Sequence, residues 1–177
     1  MLMNIHPVFV HFPVALLSVY ALMELVPFKK ITGRPYWFYF KAVFVCVGGL
    51  GALAAWLTGK MAAQPIRHDA YLRPILRMHE NFAQASIAVF GIIAASYLVL
   101  WLDRENFSSV LKSPPLSRLW QWLKKLAQFF AETKLVILLA VAGLICITVT
   151  GALGGDLVYG QNVDPVVKLV HSILIGN

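Results

Sequence analysis

Charge is what this sequence has least of. Only 13% of its 177 residues are Asp, Glu, Lys or Arg, and just 8 of them are acidic. Soluble domains carry about a quarter charged residues, so this low share, set beside 59% hydrophobic residues, excludes an ordinary water-soluble globule. Cysteine is scarce too: Cys46 and Cys146 are the only two, and neither belongs to a C-x-x-C or C-x-x-C-H motif. Covalent c-type haem attachment is thereby excluded, and each thiol, in mid-run, reads as a small apolar side chain. The first apolar run lacks a basic leader and a small-residue cleavage site, so it is expected to be retained and not removed as a secretory peptide. No relay of ionisable residues is apparent along the apolar runs, which argues against a proton or ion pump.

What the chain does have is long apolar sequence. Four runs, at 7–26, 36–57, 82–102 and 135–153, reach the roughly 20 residues needed to cross a hydrocarbon core. The expected fold is all-α, an integral membrane four-helix bundle forming a single domain over 1–177 in a lipid bilayer. One set of connections holds Lys29, Lys30, Arg34, Lys41, Arg104, Lys112, Arg118, Lys124, Lys125 and Lys134, while the opposite set holds only Lys60, Arg67, Arg73, Arg77 and Lys168. By the positive-inside rule the first set is cytoplasmic, which places both termini in the periplasm and the chain in a bacterial inner membrane. The formal charge of +7 therefore reads as topology and not as a nucleic-acid footprint.

Shorter features complete the outline. Leu116, Leu119, Trp120, Leu123, Leu126 and Phe130 share one side of a basic segment, which predicts a cytoplasmic interfacial helix. Asp164-Pro165 reads as the N-cap and first turn of a short periplasmic C-terminal helix with Val167, Val170, His171 and Leu174 as its apolar stripe. Thr58-Gly59 is expected to close the second span, Pro74 to open the third helix, and the glycines from Gly154 to Gly160 to form a reversal after the fourth. Gly48, Gly49, Gly51, Ala52, Ala54 and Ala55 give the second span a face for close helix packing.

On this topology all five histidines, His6, His11, His68, His79 and His171, fall on the outer side. His11 lies about 6 Å inside the first helix and His79 about 4.5 Å short of the third apolar run, so their levels are close. Facing helices of a bundle hold b-type haem or a metal in such a gap, which makes His11 and His79 the candidate ligands. His6 precedes His11 by five positions, about 140° around a helix, so the two cannot serve one site unless the first turn is unwound; His6 is better placed as a second ligand set or a hydrogen-bond partner, with His171 as its natural companion. Arg67, Arg73 and Arg77 lie on the same side and are candidate partners for haem propionates. His68, in a loop, reads as an ordinary surface residue.

The opening His6-Pro-x-x-Val-His11-Phe-Pro13, followed by Ala15-Leu-Leu, resembles a bacterial family of four-helix predicted membrane proteins of unknown function. Thr58-Gly59, His79 and Gly154-Gly155-x-Leu157-Val158-Tyr159 carry the resemblance along nearly the whole chain. In that family the Tyr is generally followed by a His-Gly-x-Gly-Val turn, whereas here Gly160-Gln-Asn-Val163-Asp-Pro165 stands in its place. Members occur joined to Rieske iron–sulfur or c-type cytochrome modules, which implies redox work near the periplasmic face. The resulting expectation is a b-type cytochrome-like electron-transfer protein, more a subunit than a stand-alone enzyme, with haem b held by His11 and His79. The alternatives are a non-catalytic anchor for a periplasmic iron–sulfur or c-type cytochrome partner, and a copper- or zinc-binding membrane protein.

Overall fold

The computed structural model describes residues 6–26, 32–110 and 113–176. Lys29, Lys30 and Lys112, part of the basic set, lie outside the described residues, as does Asn4. Among the described residues the chain is helical without strands. Helices α1 (His6–Leu25), α2 (Pro35–Ala62), α3 (Leu72–Arg104) and α5 (Leu135–Tyr159) are long and apolar enough to cross a membrane; α4 (Pro114–Glu132) and α6 (Pro165–Leu174) are shorter and amphipathic.

The long helices run alternately up and down, each packed on its neighbours in the cyclic order α1, α2, α3, α5. On α1 the inward stripe is His6, Val10, Pro13, Leu17, Tyr20 and Glu24, spaced alternately by four and three residues as a helix seam requires. Gly48 of α2 takes Leu17 against its backbone, where an added Cβ would lie 2.7 Å from Leu17 Cδ2. Gly143 of α5 does the same for Phe90 of α3, with 2.6 Å between that Cβ and the ring. With no hydrophobic drive between helices in lipid, such close approach is the main source of helix association. Large apolar side chains point outward instead, among them Phe12, Val47, Leu50, Leu57, Leu98 and Leu138, as a lipid-facing surface demands.

Several boundaries differ from the sequence expectation. The second helix does not stop at Thr58-Gly59 but continues to Ala62, and the third begins at Leu72, two residues before Pro74. The reversal expected from Gly154 to Gly160 is confined to Gly160, at φ +84°, because α5 stays helical through Tyr159. Glycines 154 and 155 serve packing instead of turning: an added Cβ would meet His79 at 3.4 Å and Val167 at 3.3 Å respectively. At the start of α6, Asp164 caps as expected, its Oδ1 accepting from Val166 N at 2.8 Å and Val167 N at 2.9 Å.

Helix α4 packs along the end of α3. Lys124 Nζ pairs with Asp103 Oδ2 at 2.6 Å, Trp120 Nε1 donates to Asp103 Oδ1 at 3.3 Å, and the Trp120 ring lies against Phe107. Trp120 therefore leaves the expected apolar side and is buried, while Leu116, Leu119, Trp122, Leu126 and Phe129 form the exposed stripe.

Candidate functional site

The up-down order of the helices gathers the start of α1, the end of α2, the start of α3 and the end of α5 at one end of the bundle, and all five histidines lie toward it. A cavity of about 340 Å³ opens there, walled by apolar residues such as Pro13, Leu17, Ala52 and Ile147, with His6, Trp56, Lys60, Arg67, Glu80, Gln84, Ser86 and Thr150 as its polar groups; His79 stands beside it and does not line it. That volume lies within the range of small-molecule sites, roughly 300–1,000 Å³.

His6, the first residue of α1, points across to α2. Its Nδ1 lies 3.1 Å from Thr58 Oγ1, and Thr58 gives its own hydroxyl proton to the carbonyls of Ala54 and Ala55 at 3.1 and 3.0 Å. The Thr58 hydroxyl, which can both donate and accept, thus ties the His6 ring to the α2 backbone. The small residue Gly59 makes room: an added Cβ would be 3.0 Å from His6 Cε1.

His79 is oriented in the same manner. Its Nδ1 donates to the Thr150 carbonyl of α5 at 2.9 Å, and a carbonyl can only accept, which assigns the lone pair of the neutral ring to Nε2. Thr150 Oγ1 in turn donates to the Cys146 carbonyl at 2.7 Å, within its own helix.

The structure places His11 apart from His79. His11 lies outside the α1 seam, exposed on the lipid side, and its Nδ1 donates to the Pro7 carbonyl one turn back at 2.6 Å. The angular separation that keeps His6 and His11 apart is real, but His6 is the one that faces inward, because the seam includes it. Nor does His6 pair with His171. His171 is buried at the foot of α6, its Nδ1 2.6 Å from Asp156 Oδ2 of α5, with side chains 6% and 1% exposed. Asp156 Oδ1, equally buried, has no hydrogen-bond partner.

Of the three arginines, only Arg67 lines the cavity. Its Nη2 donates to Glu80 Oε1 at 2.7 Å, while its buried Nε has no acceptor. Arg73 and Arg77 point outward, as does His68. Among the described residues no three His, Cys, Asp or Glu side chains converge to hold a metal ion. A closed zinc or copper site of three or four protein ligands therefore does not fit the described residues.

A second polar cluster, at the opposite end, went unread in the sequence. Glu24 Oε1 accepts from the hydroxyls of Tyr20 at 2.8 Å and Tyr97 at 2.7 Å, and Glu24 Oε2 from Lys41 Nζ at 2.9 Å. Three helices meet on one carboxylate that is 6% exposed. Ionisable groups are therefore present inside the bundle, where they form a closed cluster and not a relay along a helix.

No curated protein matches the chain, and no solved structure does. One family model, described as a predicted membrane protein, matches residues 2–166, nearly the full length. The chain thus belongs to the DUF2231 family of predicted membrane proteins.

Proposed function

We propose that this protein is an electron-transfer subunit of a bacterial inner membrane that holds a b-type haem at the histidine end of the bundle, with that end facing the periplasm. The observation that carries the reading is the shared orientation of His6 and His79. His79 commits its Nδ1 proton to the Thr150 carbonyl, which is how ligating imidazoles are held so that Nε2 presents its lone pair, and His6 is held at Nδ1 by the Thr58 hydroxyl. The spare donor at Arg67 Nε fits a propionate oxygen. Bound haem would supply one-electron chemistry. The chain's part is to fix both rings, to keep water out with Leu17, Ile147 and their neighbours, and to balance acidic groups at the mouth with Arg67 and Lys60.

The test is an absorption spectrum of protein purified in detergent from haem-replete cells. A low-spin spectrum is expected, disturbed by His79→Ala and by His6→Ala and unchanged by His11→Ala. Protein without a Soret band, or a His79→Ala variant with an unaltered spectrum, defeats the reading.

A second reading, that the chain anchors a periplasmic redox partner, is favoured by Arg73 and Arg77. Both are exposed at the histidine end and neither forms an ion pair among the described residues. An acidic iron–sulfur or c-type cytochrome module would meet them there, with binding that weakens as salt is raised.

A further inference from the structure

The end of the bundle opposite the histidines carries a second cavity, of about 400 Å³, where α2 begins and α3 and α4 end. Arg34, Lys41 and Arg104 line it together with Phe38, Tyr97 and Glu132. Three cations share one small space, and their partners differ. Lys41 is held by Glu24 at 2.9 Å and sits 5.5 Å from the Tyr97 ring centre. Arg104 lies over Phe38 at 3.6 Å, so its flat face is occupied while the N–H donors around its edge stay clear of the ring. Neither Arg104 nor Arg34 forms an ion pair among the described residues, and Glu132, on the same wall, pairs with neither.

With Lys41 already neutralised by Glu24, the guanidinium groups of Arg34 and Arg104 leave the cavity with cationic charge that an anion between them would offset. Guanidinium forks match the paired oxygens of a phosphate, and basic pockets between membrane helices on the cation-rich side take phosphorylated headgroups. The exposed aromatics Tyr36 and Phe40, one and two turns into α2, mark this level as an interface between water and hydrocarbon.

We infer that this cavity binds an anionic phosphate group, with Arg34 and Arg104 as the oxygen-binding residues and Lys41 as a charge held in place by Glu24. At this level of the bundle a phospholipid headgroup is the nearest source, and soluble phosphate is the other. Glu132, which lines the same cavity, limits the occupant to low net charge, which a phosphodiester satisfies and a doubly charged phosphate monoester satisfies less well.

The experiment is native mass spectrometry of the full chain in detergent, titrated with phosphatidylglycerol or with diacylglycerol, which has the same chains and no phosphate. A parallel thermal-unfolding series uses inorganic phosphate. Wild type is expected to hold phosphatidylglycerol and not diacylglycerol. Arg34→Gln/Arg104→Gln should weaken retention by about tenfold or more, the scale of losing charge-assisted hydrogen bonds. Arg118→Gln/Lys125→Gln, which removes two charges from the exposed side of α4, should leave it intact. Should the double variant lose its helical circular dichroism, Arg34→Gln alone carries the test, since Arg34 is exposed and packs against little. Stabilisation by inorganic phosphate with no lipid retained keeps the phosphate chemistry and changes its source. Equal binding of diacylglycerol, equal loss in the α4 control, or no response to either phosphate overturns the inference.

Discussion

His171 Nδ1 and Asp156 Oδ2 lie 2.6 Å apart across the junction of α6 and α5, in a contact almost closed to solvent. That one contact fastens the terminal helix to the bundle, with Val167 packed beside it over Gly155. Removing His171 leaves both oxygens of a buried carboxylate without partners. His171→Ala should lower stability by about 3 kcal/mol or more, the usual loss when one half of a buried pair is taken away. Asp156→Asn, which keeps an oxygen for the imidazole proton, should cost less. Thermal unfolding in detergent, with limited proteolysis of the residues after Gly160, reads both effects, and equal losses in the two variants would contradict the assignment.

Glu24 is expected to be the most sensitive position at the other end. Glu24→Ala strands the Lys41 ammonium and two tyrosine hydroxyls together, for a loss of about 3–5 kcal/mol. Glu24→Gln keeps an acceptor for the tyrosines but not the charge that Lys41 needs, so its loss should fall between wild type and Glu24→Ala. Adding Lys41→Met to Glu24→Gln should recover part of the deficit. A double variant less stable than both single variants would show that the ammonium is not the group in difficulty.

Two glycines of α5 should respond with opposite signs. A methyl at Gly143 would fall 2.6 Å from the Phe90 ring, whereas nothing lies within 4 Å of a methyl at Gly151. Gly143→Ala should therefore destabilise by about 1–3 kcal/mol through overpacking. Gly151→Ala should be neutral or gain up to about 1 kcal/mol of helix propensity. Unfolding in a graded detergent mixture compares them directly.

The exposed stripe of α4 should lie in lipid headgroups. With the other tryptophans replaced by Phe, Trp122, which is 60% exposed, should be quenched by lipids brominated near the headgroup and much less by quencher confined to water. Strong aqueous quenching with no lipid effect would remove the interfacial helix.

Sidedness is tested by cysteine accessibility. In a background without Cys46 and Cys146, a cysteine at His68 should label from the periplasm and one at Arg118 only after the membrane is opened. The reverse pattern would invert the topology drawn from the basic residues.

Much of the bundle is legible in the sequence, since apolar runs of membrane length leave few alternatives. The lengths of the helices are less so. Arg73, Arg77 and Glu80 dilute the hydropathy at the start of α3, so the apolar run begins only at Phe82, whereas the helix, expected from Pro74, starts at Leu72. The site turns on phase more than on depth. His11 and His79 match in level, but the spacing that runs through Leu17 and Tyr20 leads back to Pro13, Val10 and His6, and forward to Glu24. Followed to both ends, that seam puts His6 and Glu24 inside and leaves His11 out. Asp156 is harder to find, because three nearby glycines favour a turn in water while in a tightly packed bundle two of them allow close contact within a helix.

The bridge from Glu24 to Lys41 also bears on how the chain enters the membrane. The two residues belong to consecutive spans only 17 positions apart, so they emerge from the ribosome within moments of each other. Each alone adds about 2.5–3.5 kcal/mol to the insertion of its helix if placed at mid-membrane, and less near the end where these stand. Entering as a hairpin, α1 and α2 would bring opposite charges together before either meets lipid unaccompanied. A stalled intermediate holding α1 without α2 should therefore partition poorly, and the second helix becomes the step at which biogenesis commits.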